Sequence, residues 1–367
     1  MHIAIVTGGY YGLSGVFTHA RDLSRQLSKH GVYVTVLSPD VQESDSNERL
    51  QFVRIRDIRF VPQLVFYLTS LIFNHRRYKI DVIYCLDSIA FIIAVIFGKL
   101  WRVPTVFCFQ ASIFSPGREV DSSRLGVCIY KFTNRLAARA ANAIVCVSEE
   151  MVRCARLAGA DDNEITLISN LVDLEPFEKI RHVRKVNHSK QLVCLYVGAL
   201  RPTKGVEFLI RAIPVVAQKV PEIRFILVGD GPERRKLEEL ARELDAESYL
   251  DFIGKLTWEQ VLQYYERADI FILPSISDPM PLVIPEAMAA GLPVIGSRVD
   301  GIPEIIRDGY NGLLVEPKNS GTLANAIMRL LEDDRLLEEC SRNALRTAEE
   351  FSWQKNIEKF EFIFMMV

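Results

Sequence analysis

The sequence predicts an α/β protein built from two doubly wound parallel-sheet domains in tandem. Three observations carry the prediction. Short, nearly continuous apolar runs alternate with longer stretches of helical periodicity, the pattern of repeated β-α-β units. The alternation stops at a polar, basic stretch that ends at Lys190 and then starts again. The 367 residues also exceed one ordinary domain and suit two of about 150–200 residues each.

In the first half, His2–Thr7 is an apolar run of the kind buried on both faces of a parallel sheet. A loop with Gly8, Gly9, Gly12 and Gly15 follows. Thr18–His30 then carries Ala20, Leu23 and Leu27 at helical spacing and ends at Gly31, which suits a C-cap. Val32–Leu37, Asp81–Cys85, Pro104–Phe109 and Ala143–Val147 read as further strands. Ile89–Leu100 and Tyr130–Ala141 read as helices between them.

Asn170–Lys190 breaks the period, with Pro176 and a basic run from Lys179. The second series has strands at Leu192–Val197, Ile223–Val228, Tyr249–Ile253, Ile270–Leu273 and Pro293–Ser297. Helices are expected at Val206–Lys219, Glu233–Leu244, Trp258–Ala268, Pro285–Ala290 and Ser320–Leu331, with Glu338–Ile363 mostly helical and broken near Phe351-Ser352. The expected organisation is therefore an N-terminal domain over 1–172, a linker over 173–190, a C-terminal domain over 191–345, and a final helix over 346–367 that packs back toward the N-terminal domain.

Composition narrows the function classes. The formal net charge of -2 gives no basic excess for nucleic acid. Seven cysteines include no C-x-x-C pair, and Cys85, Cys108, Cys146 and Cys194 lie in apolar strand-like runs, which favours reduced thiols and a cytoplasmic protein. Met1–Val6 is too short for a secretory signal. The apolar stretch Ile89–Trp101 is too short to span a bilayer and reads as a helix against a sheet. Pro62–Lys79 places Leu64, Val65, Phe66, Leu68, Leu71, Ile72 and Phe73 before His75-Arg76-Arg77, an apolar face beside a basic cluster that suits peripheral contact with anionic lipid.

The segment that bears chemistry runs from Asp278 to Gly291. Pro285 suits the first turn of a helix, which places Asp278 in the loop before it and Glu286 in its first turn. The N–H groups of Leu282, Val283, Ile284 and Glu286 then offer a diphosphate site at the positive end of the helix. Both carboxylates can accept hydrogen bonds from sugar hydroxyls. Spacing alone equally allows a Glu286 that only offsets the dipole and a solvated Asp278. Gly198-Ala-Leu-Arg201-Pro-Thr-Lys204-Gly205 follows a strand with two cations, which suits charge growing on a leaving diphosphate. Gly229-Asp-Gly-Pro232 is a turn that needs glycine on backbone grounds alone.

These motifs resemble those of retaining glycosyltransferase family 4, whose fold is GT-B: two facing Rossmann-like domains with a cleft between them. The segment Asp278 to Glu286 resembles the family's E-x7-E signature, and Asp269–Pro274, Pro281-Leu282-Val283, Gly291-Leu-Pro-Val-Ile295 and Gly301-Ile-Pro-Glu304 match its surroundings. The resemblance implies that Asp278 faces the donor sugar, Glu286 the ribose, and Lys204 the diphosphate; proximity in the sequence alone makes Arg201 the candidate for a second cation there. It further implies donor contacts at Gly198, Gly229, Pro281, Leu282 and Val283, with the base beside Ile253-Gly254-Lys255. In the first half, Ser14-Gly15-Val-Phe-Thr-His19 resembles the family's glycine-rich loop, so Gly15 lies near the phosphates. His19 reads equally as a sugar contact or as a packed helix residue. Gln110 stands where the family strand ends in a histidine, and it can hydrogen-bond a hydroxyl but not titrate.

The activity implied is retaining transfer of a hexosyl group from an NDP-sugar to a hydroxyl of a glycan or lipid-linked acceptor, in polysaccharide, lipid-linked glycan or glycolipid synthesis. No D-x-D sequence is present, so no carboxylate-held metal and no other cofactor is expected. The sequence departs from the family at Asp278 in place of Glu, at Ala199 in place of Arg, and at Gln110. These departures keep open a second reading, a weak or catalytically silent sugar-nucleotide-binding subunit. A dinucleotide oxidoreductase is disfavoured, because Gly8-Gly9-Tyr-Tyr-Gly12 does not have the G-x-G-x-x-G spacing. The loop Ala111–Ser123 belongs to the expected acceptor side and matches no pattern.

Overall fold

The computed structural model describes residues 1–7, 15–39, 46–55, 61–110, 124–183 and 191–367. The loop Gly8–Ser14, the acceptor-side loop Ala111–Ser123 and the end of the expected linker, 184–190, lie outside the described residues, as do the side chains of Leu64 and Val65. The chain divides into two compact units: Met1–Asn170 with Trp353–Val367, and Leu171–Ser352.

The first unit is a seven-stranded parallel sheet. Its elements in order are β1 (His2–Val6), α1 (Gly15–Lys29), β2 (Tyr33–Ser38), β3 (Leu50–Arg54), α2 (Val61–Tyr78), β4 (Val82–Cys85), α3 (Ala90–Trp101), β5 (Thr105–Phe109), α4 (Arg124–Ala140), β6 (Ala143–Cys146), α5 (Glu149–Ala158) and β7 (Ile165–Leu167). The strand order is β3-β2-β1-β4-β5-β6-β7. β1, β4 and β5 are fully buried, which explains their unbroken apolar runs. Right-handed crossovers place α2, α3, α4 and α5 on one face of this sheet and α1 on the other. Consecutive members of the α2–α5 layer pack side by side.

Local chemistry fixes the helix ends. Asp87 Oδ1 accepts from the N–H groups of Ile89 and Ala90 at 2.9 and 2.8 Å at the start of α3. Ser148 Oγ accepts from Met151 N at the start of α5. Burial raises the Asp87 carboxyl above its usual range, and these two N–H bonds partly offset that.

The second unit is a six-stranded parallel sheet ordered β10-β9-β8-β11-β12-β13. It runs β8 (Val193–Val197), α6 (Val206–Lys219), β9 (Arg224–Val228), α7 (Arg234–Glu243), β10 (Leu250–Gly254), α8 (Trp258–Arg267), β11 (Ile270–Leu273), α9 (Val283–Ala289), β12 (Val294–Ser297), α10 (Ile302–Ile305), β13 (Gly312–Val315), α11 (Ser320–Glu332) and α12 (Asp334–Glu350). After the break at Phe351-Ser352, α13 (Trp353–Met366) belongs to the first unit and packs on α1.

The structure differs from the expected linker at its start. Residues 171–183 belong to the second unit, because Phe177, in a short 3-10 turn, is fully buried edge-on against Trp258 and Tyr265. The Ile89–Trp101 stretch does form a helix against the sheet, with Phe91, Ala94 and Phe97 fully buried. Its other side, Ile96 and Leu100, is exposed. Among the described residues no helix is long and apolar enough to cross a membrane.

Candidate active site

The strand order of the second unit reverses direction between β8 and β11, and ligands of open α/β sheets bind at the carboxyl ends beside such a point. The loops leaving these two strands are stitched together. Ile276 N and Ser277 N donate to the Thr203 carbonyl at 2.8 and 3.2 Å. Gly205 has φ +62°, and a Cβ there would collide with the Pro274 carbonyl. Lys204, from the β8 loop, forms a part-buried ion pair with Asp278, from the β11 loop.

Neighbouring strand ends brace this pair. Asp300, after β12, accepts from Ser277 Oγ and from Asp278 N, both at 2.7 Å, with one carboxylate oxygen. Its φ of +44° is a left-handed conformation that L-residues seldom adopt, held here by those two bonds. On the other side, Gly198 N donates to Val228 O, and Gly229 N donates to Gly254 O, each at 2.9 Å. Gly229 has φ +136°, and any Cβ on it would overlap the Gly198 carbonyl. Five adjacent strand ends, β10, β9, β8, β11 and β12, thus share one hydrogen-bonded rim.

Glu286 is buried in the first turns of α9, and Tyr265 of α8 donates to its Oε2 at 3.0 Å. Burial and the neighbouring carboxylate push the Tyr265 phenol well up, so it stays a neutral donor. Tyr265 is itself held by Phe177, Trp258 and Phe271. Tyr196 plays the parallel part under the other loop. Burial and Asp278 raise its phenol, which donates to the Ala199 carbonyl at 2.9 Å.

Two expectations change here. The helix starts at Val283 rather than Pro285, because Ile284 N and Glu286 N already bond to the carbonyls of Pro281 and Leu282. Of the four N–H groups expected to be free, those of Leu282 and Val283 have no acceptor among the described residues. Pro281 and Leu282 are buried, and Val283 is half-buried. Arg201 is exposed and has no carboxylate partner among the described residues. Ile253 is half-buried on β10, next to Gly254.

Gly15, His19 and Gln110 belong to the first unit. Gly15 is the exposed first residue of α1. Gln110 follows β5, with its Nε2 buried and its side chain near the Cys108 thiol. His19 is a packed residue of α1. The side chain is 1% exposed, between Tyr84, Trp353 and Phe360, with centroid distances of 6.3, 5.8 and 5.8 Å. Its Nε2 lies 3.3 Å from Tyr84 Oη and its Nδ1 meets no partner. Burial lowers its pKa to about 3, so the ring is neutral.

Sequence reasoning missed Tyr265, Thr203, Ser277 and Asp300. Asp300 left a signal, an acid three positions after the strand Val294–Ser297. Tyr265 left none, because it meets Glu286 across 21 positions.

Comparison with known proteins agrees over nearly the whole chain. Residues 13–176 match the family described as Glycosyltransferase Family 4, and residues 178–347 match Glycosyl transferases group 1. An uncharacterized glycosyltransferase of Methanocaldococcus jannaschii is 27% identical over 390 aligned positions, covering 98% of this chain and 96% of the relative. The D-inositol 3-phosphate glycosyltransferase of Corynebacterium glutamicum is 27% identical, covering 92% and 88%. Among solved structures, sucrose-phosphate synthase from Thermosynechococcus elongatus superposes with a TM-score of 0.84 at 20% identity, over 99% of this chain and 98% of that one. Anabaena HepE in complex with UDP-glucose superposes with a TM-score of 0.80 at 21% identity, over 99% and 100%.

The fold they share with the two parallel sheets described above is GT-B, a two-domain α/β architecture. The chain belongs to the group 1 glycosyltransferases of family 4.

Proposed function

We propose that the protein transfers a hexosyl group from an NDP-sugar to a hydroxyl acceptor with retention at the anomeric carbon. The observation that carries this reading is the Lys204–Asp278 pair across the switch point, beside buried Glu286. In the proposed complex Glu286, aimed by Tyr265, accepts hydrogen bonds from the ribose hydroxyls. Lys204, Arg201 and the N–H groups of Leu282 and Val283 meet the diphosphate. Asp278 faces the sugar, and the strand end at Ile253 flanks the base. The UDP-glucose complex of a protein with the same fold supports a nucleotide-sugar donor.

In the proposed reaction the bond from the anomeric carbon to the diphosphate oxygen breaks, and the acceptor oxygen bonds to the same face. The acceptor's proton passes to the departing diphosphate. No protein nucleophile takes part, unlike a retaining glycosidase with two close carboxylates. The cations at Lys204 and Arg201 offset the charge that grows on the leaving group, and no metal is assigned to that task. Gln110, at the end of β5, is assigned to a sugar or acceptor hydroxyl. A glycan or lipid-linked alcohol is the proposed acceptor.

A ligand-shift and turnover panel of UDP-, GDP- and ADP-sugars tests this, followed by anomer analysis of the product. One donor class that stabilises the protein and yields a product of retained configuration is expected. An inverted product contradicts the mechanism. Tight binding with no transfer to any acceptor supports instead the silent subunit that Asp278, Ala199 and Gln110 left open.

A further inference from the structure

The α2–α3–α4 layer combines two properties. The first is charge. These three helices contain seven Lys and Arg and no Asp or Glu. The whole chain has 44 Lys+Arg and 46 Asp+Glu, which leaves 37 against 46 elsewhere. A near-neutral protein thus has one helical layer with basic residues and no acids in its helices. Arg76 and Arg77 end α2, Lys99 ends α3, and Lys131, Arg135 and Arg139 stand on α4, all exposed. Lys79 and Arg102, at the joints after α2 and α3, extend the set. None of these eight has a carboxylate partner among the described residues.

The second property is exposed apolar area on the same helices. Phe73 of α2 is 63% exposed, Leu100 of α3 68%, and Phe132 of α4 65%. Ile96 and Ile129 lie beside them, also exposed. Lone exposed apolar residues are ordinary on a protein surface, but several on adjacent helices among cations with no carboxylate partner among the described residues are not. A groove of about 430 Å³ between β3 and α2, lined by Thr69, Phe73, Asn74 and Arg77, opens on this layer. The acid-free run stops at α5, which begins with Glu149-Glu150.

We propose that the α2–α3–α4 layer docks on the surface of an anionic lipid bilayer. Leu100, Phe132 and Phe73 enter the interfacial region, and the surrounding cations meet lipid phosphates. The charge favours this partner over another protein, because a complementary protein patch would have to be uniformly acidic and apolar over three helices. The inference does not rest on the donor reading: no residue of this layer belongs to the rim around Lys204 and Glu286, so either can fail alone.

The test is co-sedimentation of the full chain with phosphatidylcholine vesicles and with mixed phosphatidylcholine–phosphatidylglycerol vesicles, at low and high salt. Two surface variants accompany it, Leu100→Ser with Phe132→Ser, and Arg77→Gln with Lys131→Gln and Arg135→Gln. All five side chains are exposed, and circular dichroism checks that both variants fold. A fluorophore on Cys128, the one exposed cysteine of the seven, reports entry into the interface. Binding to the mixed vesicles alone is expected, weakened at least about tenfold by each variant and by salt, with a blue shift at Cys128. Equal binding to both vesicle types, no binding, or variants that bind like the wild type would overturn the proposal. So would a dimer in solution, lost in the Leu100/Phe132 variant, in the absence of vesicle binding.

Discussion

Replacing His19 with leucine changes the acid response of the protein in a way the structure fixes in sign. His19 is sealed among Tyr84, Trp353 and Phe360, and burial alone pulls its pKa from about 6.5 to about 3. The unfolded chain therefore takes up a proton at this site below pH 6.5, while the folded chain does not until about pH 3. The unfolded state binds more protons across that window, so stability rises with pH through it and is lost as pH falls. The slope for one such group is about 1.4 kcal/mol per pH unit. Between pH 7.5 and pH 4.5 the wild type should lose roughly 2–3 kcal/mol through His19 that the leucine variant keeps. Other titrating groups, Asp87 among them, are common to both proteins and cancel in the difference. Urea denaturation followed by tryptophan fluorescence at pH 7.5, 6.0 and 4.5 reads it, since Trp353 stands beside the histidine. A wild-type-minus-variant difference that stays flat across these pH values would refute the placement of His19 in the core.

Three further predictions concern the rim of the second unit. Tyr265→Phe removes the phenol that aims Glu286 and should weaken donor binding about five- to tenfold, or about 1–1.4 kcal/mol, read as a rise in donor KM with little change in kcat. Gly229→Ala forces a Cβ into the Gly198 carbonyl at φ +136° and should cost about 2 kcal/mol or more of stability, read by urea denaturation; an unchanged midpoint would show that the turn is not as drawn. Asp300→Ala frees Ser277 Oγ and Asp278 N and should lower kcat/KM about tenfold or more, while Asp300→Asn, which retains an acceptor, recovers part of the loss; equal loss in both variants would point to the charge instead.

The alternation of apolar runs and amphipathic stretches was enough to read two parallel sheets, because strands such as β4 and β11 are buried on both faces and show it as continuous apolar sequence. The edge strands β3 and β13, and the short β7, did not stand out. β3 (LQFVR) and β7 (ITL) carry half-buried, mixed residues, and β13 is a brief run that begins with glycine. At the site, the residues legible in sequence were those whose chemistry is local: a cation before a helix at Lys204, and two acids flanking a proline-started turn at Asp278 and Glu286. The residues that hold them, Tyr265 and Asp300, act across 21 and 22 positions; Tyr265 has no local signature, and Asp300 shows only as an acid shortly after a strand. His19 stays open between two readings in the sequence. A titratable residue in a motif-like loop suggests contact chemistry, yet its neighbours from β4 and α13 are distant in sequence and enclose it. Helix α3 misleads for a simpler reason: it is apolar all round, so its periodicity does not separate the packed side from Ile96 and Leu100.

The central claim is that the carboxyl ends of the second sheet, around Lys204 and Glu286, hold the nucleotide diphosphate of the donor. Isothermal titration of the wild type, Lys204→Ala and Glu286→Ala with UDP, GDP and ADP tests it most directly. The account predicts saturable binding of one of these nucleotides to the wild type, weakened at least about tenfold, or about 1.4 kcal/mol, by each substitution. Binding of none of the three, or wild-type affinity in both variants, would contradict it.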